Sequence, residues 1–163
     1  MSKYDELSRS FRKVLERGHN FDLEEQIDST FYECLEHLGK NGFLFEHEVY
    51  LTSCKRRADF LKAWEVYGSG SAPTTGFHHG LLFPDRSRLF RSQIFIDVET
   101  ILQAKNTVVE NLVMTLMEEL VHASGEGDEE RAKRKGYSMT ESYLERKIPD
   151  EYKEASYRRA RKP

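Results

Sequence analysis

The sequence is poor in features that mark several large classes of protein. Its 163 residues include two cysteines, four prolines and one tryptophan, and Cys34 and Cys54 lack the close spacing of a metal-binding pair. No run of about 18 apolar residues is present, so we expect no transmembrane helix and no membrane partner. Residues 1–16 are polar and lack the hydrophobic stretch of a secretory signal. We therefore expect an intracellular, cytoplasmic protein with free thiols, although two cysteines are also compatible with one disulfide.

Strong charge of one sign is also lacking. Acidic residues number 28 and basic residues 25, which gives a formal net charge of -3, and this balance by itself neither favours nor opposes a nucleic-acid partner. The chain has no glycine-rich phosphate loop and no G-x-S-x-G turn of a serine hydrolase. With 38% hydrophobic and 33% charged residues, the composition predicts a globular protein with one substantial core.

Helical periodicity dominates the first quarter of the chain. Apolar residues recur at helical spacing over 3–17 and again over 23–38, where Asp22 is placed to cap the second helix. We expect residues 1–42 to form an N-terminal helical segment that packs on a second unit, 43–157. The last residues, 158–163, form a basic tail.

The middle of the chain predicts a small sheet. Residues alternate in polarity over 43–51 and most clearly over 94–98, as strands do. Residues 58–67 fit either a short helix or a strand, and 68–76 is a glycine-rich loop. The expected fold class is α+β, with helices packed on a small antiparallel sheet.

The longest apolar helix is predicted to run from Thr107 to a stop at Gly125. Thr107 and Glu110 have the spacing of a capping box, and glycine is favoured at a helix end because it adopts a left-handed backbone easily. Eight residues form its broad apolar face: Val108, Val109, Leu112, Val113, Leu116, Met117, Leu120 and Val121.

A polar row borders that apolar face and carries the main chemical signal. Thr115, Glu118, Glu119 and His122 are neighbours at spacings of three and four residues. Charged groups close to a core need partners or a metal ion, because an uncompensated buried charge is costly. Taken alone, the row is also compatible with solvated helix charges and a histidine at a helix C-terminus.

The order of these residues, E-E-x-x-H-A-x-G followed by the acidic D-E-E-x-A, resembles the minimal, gluzincin-like zincin metallopeptidases. The helix of those enzymes carries H-E-x-x-H, in which two histidines bind zinc and the glutamate is the general base. The resemblance implies a zinc-dependent peptidase with Glu119 as general base and His122 as a zinc ligand. It also implies Glu129 or Glu130 as the third ligand.

The resemblance further implies an extended peptide or protein partner that pairs with an edge strand. We assign that role to the strand containing Ile94, Ile96 and Val98. The glycine-rich loop 68–76 is expected to cover the resulting cleft.

The chain departs from the zincin pattern at Glu118, which stands where the first histidine is expected. Glu118 could bind the metal instead, or a loop histidine among His78, His79 and His47 could supply the ligand. Otherwise the site is inactive and the fold serves as a binding or adaptor protein. A further reading is a nucleic-acid-associated protein that uses the basic clusters 55–57, 133–135 and 158–162.

Overall fold

The computed structural model describes residues 1–104 and 107–151. Within these ranges the chain has six helices and three strands, which confirms the predicted α+β class. In chain order they are α1 (Lys3–Arg17), α2 (Asn20–Lys40), β1 (Glu48–Cys54), α3 (Arg57–Tyr67), β2 (Gly76–Leu82), β3 (Leu89–Asp97), α4 (Val98–Gln103), α5 (Val108–Ala123) and α6 (Glu129–Leu144). The predicted basic tail 158–163 and the end of the second unit lie outside the described residues. None of the helices described has an apolar stretch that could cross a membrane.

The predicted N-terminal helical pair is confirmed. Ser2 and Asp5 form a capping box at the start of α1, and Gly18 ends the helix in the left-handed conformation, with φ 69°. The start of α2 differs from the prediction, because its N-cap residue is His19 and Asp22 lies in the first turn. An acidic residue in that turn still faces the free backbone N–H groups of the helix start. The division of the chain at residue 42 stays a prediction.

The sheet is mixed rather than antiparallel throughout. Its strand order is β1-β3-β2, in which β1 pairs with β3 in parallel and β2 pairs with β3 in antiparallel orientation. β1 begins at Glu48, later than the alternation over 43–51 indicates. The ambiguous segment before the loop is helical and forms α3.

The central position of β3 corrects the predicted substrate strand. Ile94 pairs with Leu51 of β1 on one side and with His78 of β2 on the other. Both edges are therefore occupied, and a peptide cannot add to β3 at Ile94 or Ile96. Val98 is the first residue of α4 rather than part of the strand. β2 is an edge strand of the sheet, and it is the strand that we failed to predict.

α5 is the centre of the core. Residues of α1, α2, β3, α4 and α6 share its buried cluster, in which Leu116, Met117, Leu120 and Val121 are fully buried. The apolar face predicted for this helix is confirmed, but the capping box at its start is not. The Thr107 hydroxyl accepts a hydrogen bond from Asn111 Nδ2 at 2.8 Å, and no side chain caps the helix. Gly125, with φ 115°, follows the end of the helix as expected.

Both cysteines are free thiols that lie in the interior. Cys34 belongs to the core around α5, whereas Cys54 belongs to a separate aromatic cluster on the other face of the sheet. Phe60, Phe77 and Phe95 complete that second cluster, and Trp64 packs against it. The two thiols therefore contribute to two different hydrophobic clusters.

Candidate metal centre at the end of α5

The polar row of α5 converges as the sequence predicts. Glu118, Glu119 and His122 each offer one ligand atom, and these atoms lie within 4.8 Å of one another. Glu119 is buried, and the other two side chains are only 13–17% exposed. Two carboxylates and an imidazole at this spacing form a group that could bind a divalent cation.

Both ring nitrogens of His122 have partners. Nδ1 lies 2.7 Å from the carbonyl oxygen of Glu126, and Nε2 lies 3.0 Å from Oε2 of Glu129. Burial opposes a charge on the ring, but the hydrogen bond to Glu129 and the charge of Glu119 outweigh it. Together they raise the pKa of His122 to about 9. At neutral pH the ring is therefore an imidazolium that donates to both partners.

Glu129, at the first position of α6, is the downstream carboxylate that contacts the group. Its hydrogen bond with His122 is the main reason that its pKa falls to about 2. Glu130, the alternative ligand from the sequence, instead pairs with Arg134 at 2.8 Å, one turn further along α6. Asp128 caps the helix by accepting a hydrogen bond from the Arg131 backbone N–H, and this cap fixes where Glu129 starts the helix.

Lys133 is the site residue that the sequence reading missed. Its Nζ lies 2.9 and 3.0 Å from the two carboxylate oxygens of Glu118, and the Lys133 side chain is 13% exposed. Nζ also lies 3.8 Å from Oε1 of Glu129. The sequence signal was its spacing, because Lys133 follows Glu129 by one helical turn and therefore shares its face.

Glu119 is the most enclosed carboxylate of the group. Burial, followed by the neighbouring charge of Glu118, raises its pKa to about 8. Gly76 at the start of β2 passes directly above it. A Cβ at that glycine would lie 2.6 Å from Thr115 Cγ2 and 3.5 Å from Glu119 Cγ. Only a residue without a side chain lets β2 come this close to α5.

Glu118 and Glu119 line a cleft of about 590 Å³. Residues 71–76 form one of its walls, and Glu129, Lys133 and Tyr137 contribute from α6. The glycine-rich loop thus borders the cleft that contains the carboxylates. That the loop covers the cleft stays a prediction.

Of the three histidines proposed as loop ligands, His78 and His79 lie in strand β2, and only His47 precedes a strand. The His78 ring stacks on the His122 ring, with centroids 6.4 Å apart. Nε2 of His78 and Nε2 of His47 both lie 2.7 Å from the hydroxyl of buried Ser92. His79 points to the other face of the sheet and contacts Tyr67. Neighbouring residues of a strand face opposite sides, so His78 lies next to the group and His79 does not.

In comparisons with known proteins, no protein-family profile, no curated protein and no solved structure matches this chain. What the structure establishes is a Glu-Glu-His group within metal-binding distance, with Glu129 and Lys133 as its charged neighbours.

Proposed function

We propose that this chain is a zincin-like metal-dependent hydrolase that binds a divalent ion, zinc in the first instance, through Glu118, His122 and Glu129. The observation that carries the proposal is the convergence of Glu118, Glu119 and His122 within 4.8 Å. Clustered carboxylates in a partly buried site repel one another unless a cation or protons compensate them. A divalent ion provides that compensation in one step.

The orientation of His122 supports this role. A histidine ligand usually donates its second ring N–H to a carbonyl or carboxylate, which fixes the ring. Nδ1 of His122 makes this contact with the Glu126 carbonyl, so Nε2 is the atom left for a metal. Since Nε2 carries a proton toward Glu129 in the metal-free protein, binding must release that proton.

Lys133 must give way for the ion to use Glu118. Its ammonium donates hydrogen bonds to both oxygens of that carboxylate. It thus compensates the charge of Glu118, the residue that stands where a zincin has a histidine. Metal affinity is expected to be lower than that of a site with two histidines for this reason. Lys133 has a flexible side chain, and its movement toward the cleft would free Glu118.

Glu119 is suited to general base catalysis. Burial and the charge of Glu118 raise its pKa toward the neutral range, where a general base is most effective. A bound divalent ion would supply Lewis acidity toward a carbonyl and lower the pKa of water. Glu119 would then accept the proton and pass it to the leaving group.

The substrate class that fits best is an extended peptide. β2 is the edge strand nearest this site, because its first residue, Gly76, lies against Thr115 and Glu119. A peptide that adds to this edge would gain main-chain hydrogen bonds and run past the cleft. This assignment replaces the strand at Ile94.

Zinc binding tests the proposal at its first step. Titration of the metal-free protein with zinc, followed by calorimetry and thermal unfolding, should raise the melting temperature and release protons to the buffer. His122→Asn should weaken binding by more than about tenfold, because even the loss of an outer-shell partner costs that much. His19→Asn, a change at an exposed histidine, should leave binding unchanged. Equal binding by the two variants would contradict the site.

Hydrolysis is tested separately with Glu119→Gln. This variant should retain zinc but lose cleavage of a mixture of fluorogenic peptides. Glu118→His should raise zinc affinity, because it restores an imidazole at the first ligand position. If Glu118→His binds zinc no more tightly than the starting protein, the zincin geometry is wrong.

A second candidate function is a non-enzymatic binding protein on the same fold. The observation that favours it is the Lys133–Glu118 pair, since the ammonium already neutralises the carboxylate, while His122 neutralises Glu129. In that case zinc should not stabilise the protein at any pH. Lys133→Met should then not create zinc binding, whereas the hydrolase proposal expects Lys133→Met to increase it.

A further inference from the structure

The outer face of the sheet, opposite α5, is only half covered. α3 packs over the end that contains Phe77 and Phe95, through Phe60 and Trp64. The other end is open and presents two cross-strand rows. One row is Tyr50, Gln93 and His79, and the next is Glu48, Arg91 and Leu81.

A cavity of about 350 Å³ lies on this open half, at the end of α3. Its wall combines ring faces with a guanidinium, an amide and a hydroxyl. The residues that supply them are Tyr67, His79, Phe95, Arg91, Gln93 and Thr52. The volume is within the usual range for small-ligand pockets, and a few polar groups in an aromatic wall are typical of them.

Tyr67 is the ring platform of this cavity. It stacks on Phe95, with centroids 5.4 Å apart and planes 27° apart, and it contacts the ring of His79 at 4.7 Å. Phe95 supports the ring from below, yet Tyr67 is 48% exposed. A ring held in this way offers a surface on which a flat group can stack without loss of much side-chain freedom.

The charge of the cavity favours an anionic ligand. None of the described residues that line it is a carboxylate, although the chain as a whole has a net charge of -3. Arg91 is exposed and lies over the Tyr50 ring at 4.4 Å. In the part of the chain that the structure describes, no carboxylate is within ion-pair distance of it.

From this combination we propose that the open half of the sheet binds single-stranded nucleic acid, with one base stacked on Tyr67. Arg91 contacts the adjoining phosphate. Gln93 Nε2 donates a hydrogen bond to the Thr52 hydroxyl, and the remaining N–H and the amide oxygen of Gln93 face the base edge. Stacking on aromatic side chains together with a cationic group is how such strands are bound without strong sequence preference. Tyr50 of β1, which has Arg91 over one face of its ring, extends the aromatic surface beyond the cavity, which is why we infer a strand rather than a free nucleotide. The site is independent of the proposed hydrolase function, because it lies on the opposite face.

The test is fluorescence anisotropy with a labelled single-stranded oligothymidylate and the full chain at low salt. The starting protein should bind, and affinity should fall as salt rises. Tyr67→Ala should weaken binding about 5- to 150-fold, the effect of losing one stacked base, whereas Tyr67→Phe should retain it. Arg91→Ala should weaken binding and reduce the salt slope by about 0.7, as expected for one phosphate of a single strand.

Matched controls lie far from the cavity. Tyr32, which is 64% exposed on α2, and Arg12, which is exposed on α1, should be replaceable by alanine without effect. Glu119→Gln should also bind normally. Circular dichroism checks that each variant is folded.

The proposal would be overturned by no binding of the folded starting protein at low salt or by equal losses for Tyr67→Ala and Tyr32→Ala. Competition by thymidine monophosphate as strong as that by the oligonucleotide would overturn it too. Preference for the duplex form of the same sequence would also overturn it, because paired bases cannot stack on Tyr67.

Discussion

Two lysine–glutamate ion pairs, one on α2 and one between α5 and α6, differ strongly in how far they are exposed to solvent. On α2, Lys40 and Glu36 form an ion pair whose side chains are 72% and 66% exposed. Between α5 and α6, Lys133 and Glu118 form a pair that is only 13% and 17% exposed. An exposed pair contributes little to stability, whereas each member of a buried pair depends on the other. The buried charges, and not the exposed ones, therefore indicate where a functional site lies.

The largest expected effect comes from breaking the buried pair. Lys133→Met keeps the length of the side chain but leaves Glu118 without its ammonium, so unfolding free energy should fall by about 3–5 kcal/mol at alkaline pH. The loss should shrink in acid, where Glu118 becomes protonated. Lys40→Met should change stability by less than about 1 kcal/mol. Urea titrations measure the unfolding free energy of both variants. Equal losses would show that the buried pair and the exposed pair contribute equally to stability.

The next effect is a fall of stability with rising pH. The folded-state pKa values of His122 and Glu119, about 9 and about 8, are both raised, so the folded protein retains protons that the unfolded chain has released. The His122 contribution is complete below the ordinary histidine pKa and is lost as pH rises toward 9. The Glu119 contribution decreases from the ordinary glutamate pKa up to about 8. Each proton accounts for at most about 1.4 kcal/mol per pH unit.

Denaturant unfolding of the chelator-treated protein between pH 6.5 and pH 8.5 measures this slope. The double variant Glu119→Gln, His122→Asn should flatten it, and His19→Asn should not. A flat profile for the starting protein would mean that these groups do not retain their protons on folding.

The smallest of the three effects concerns how closely α6 approaches α5. A Cβ at Gly136 would lie 3.1 Å from the backbone N and Cα of Glu118. The backbone of α5 must therefore shift by a few tenths of an ångström, and because backbone atoms yield less easily than a side chain, Gly136→Ala should cost about 1–3 kcal/mol. Gly39→Ala in the last turn of α2 meets nothing within 4 Å. It should be neutral or stabilise by up to about 1 kcal/mol. Thermal unfolding of the two variants checks the opposite signs.

Features that depend only on residues close in sequence, such as helix faces and loops, were predicted from the sequence. Glu119 and His122 share a side of α5 because residues three apart in a helix are neighbours, and the loop 68–76 follows from its glycines. Strand order is not local. The parallel pairing of β1 with β3 places β3 in the middle of the sheet, and no pattern within residues 94–98 distinguishes a central strand from an edge strand.

Local sequence patterns also did not predict which residues contact the side chains of the site. Lys133 stands in a basic run that suggests a solvated surface, yet α6 packs against α5 so closely at Gly136 that the lysine meets Glu118. Ser92 is an ordinary strand residue in sequence and becomes the shared contact of His47 and His78. Both roles depend on which elements become neighbours after folding.

The contact at Ser92 constrains where hydrogens can reside. A hydroxyl has one hydrogen to donate, so the two imidazoles that face it cannot both be acceptors. At least one of them must hold its hydrogen on the nitrogen nearest the serine, and that nitrogen is then closed to coordination. If only one is an acceptor, exchanging the roles of the two rings needs only a turn of the hydroxyl and a change of tautomer, with no heavy atom displaced. The Ser92 hydroxyl thus links the segment before β1 to the edge strand through two imidazoles whose tautomers depend on each other.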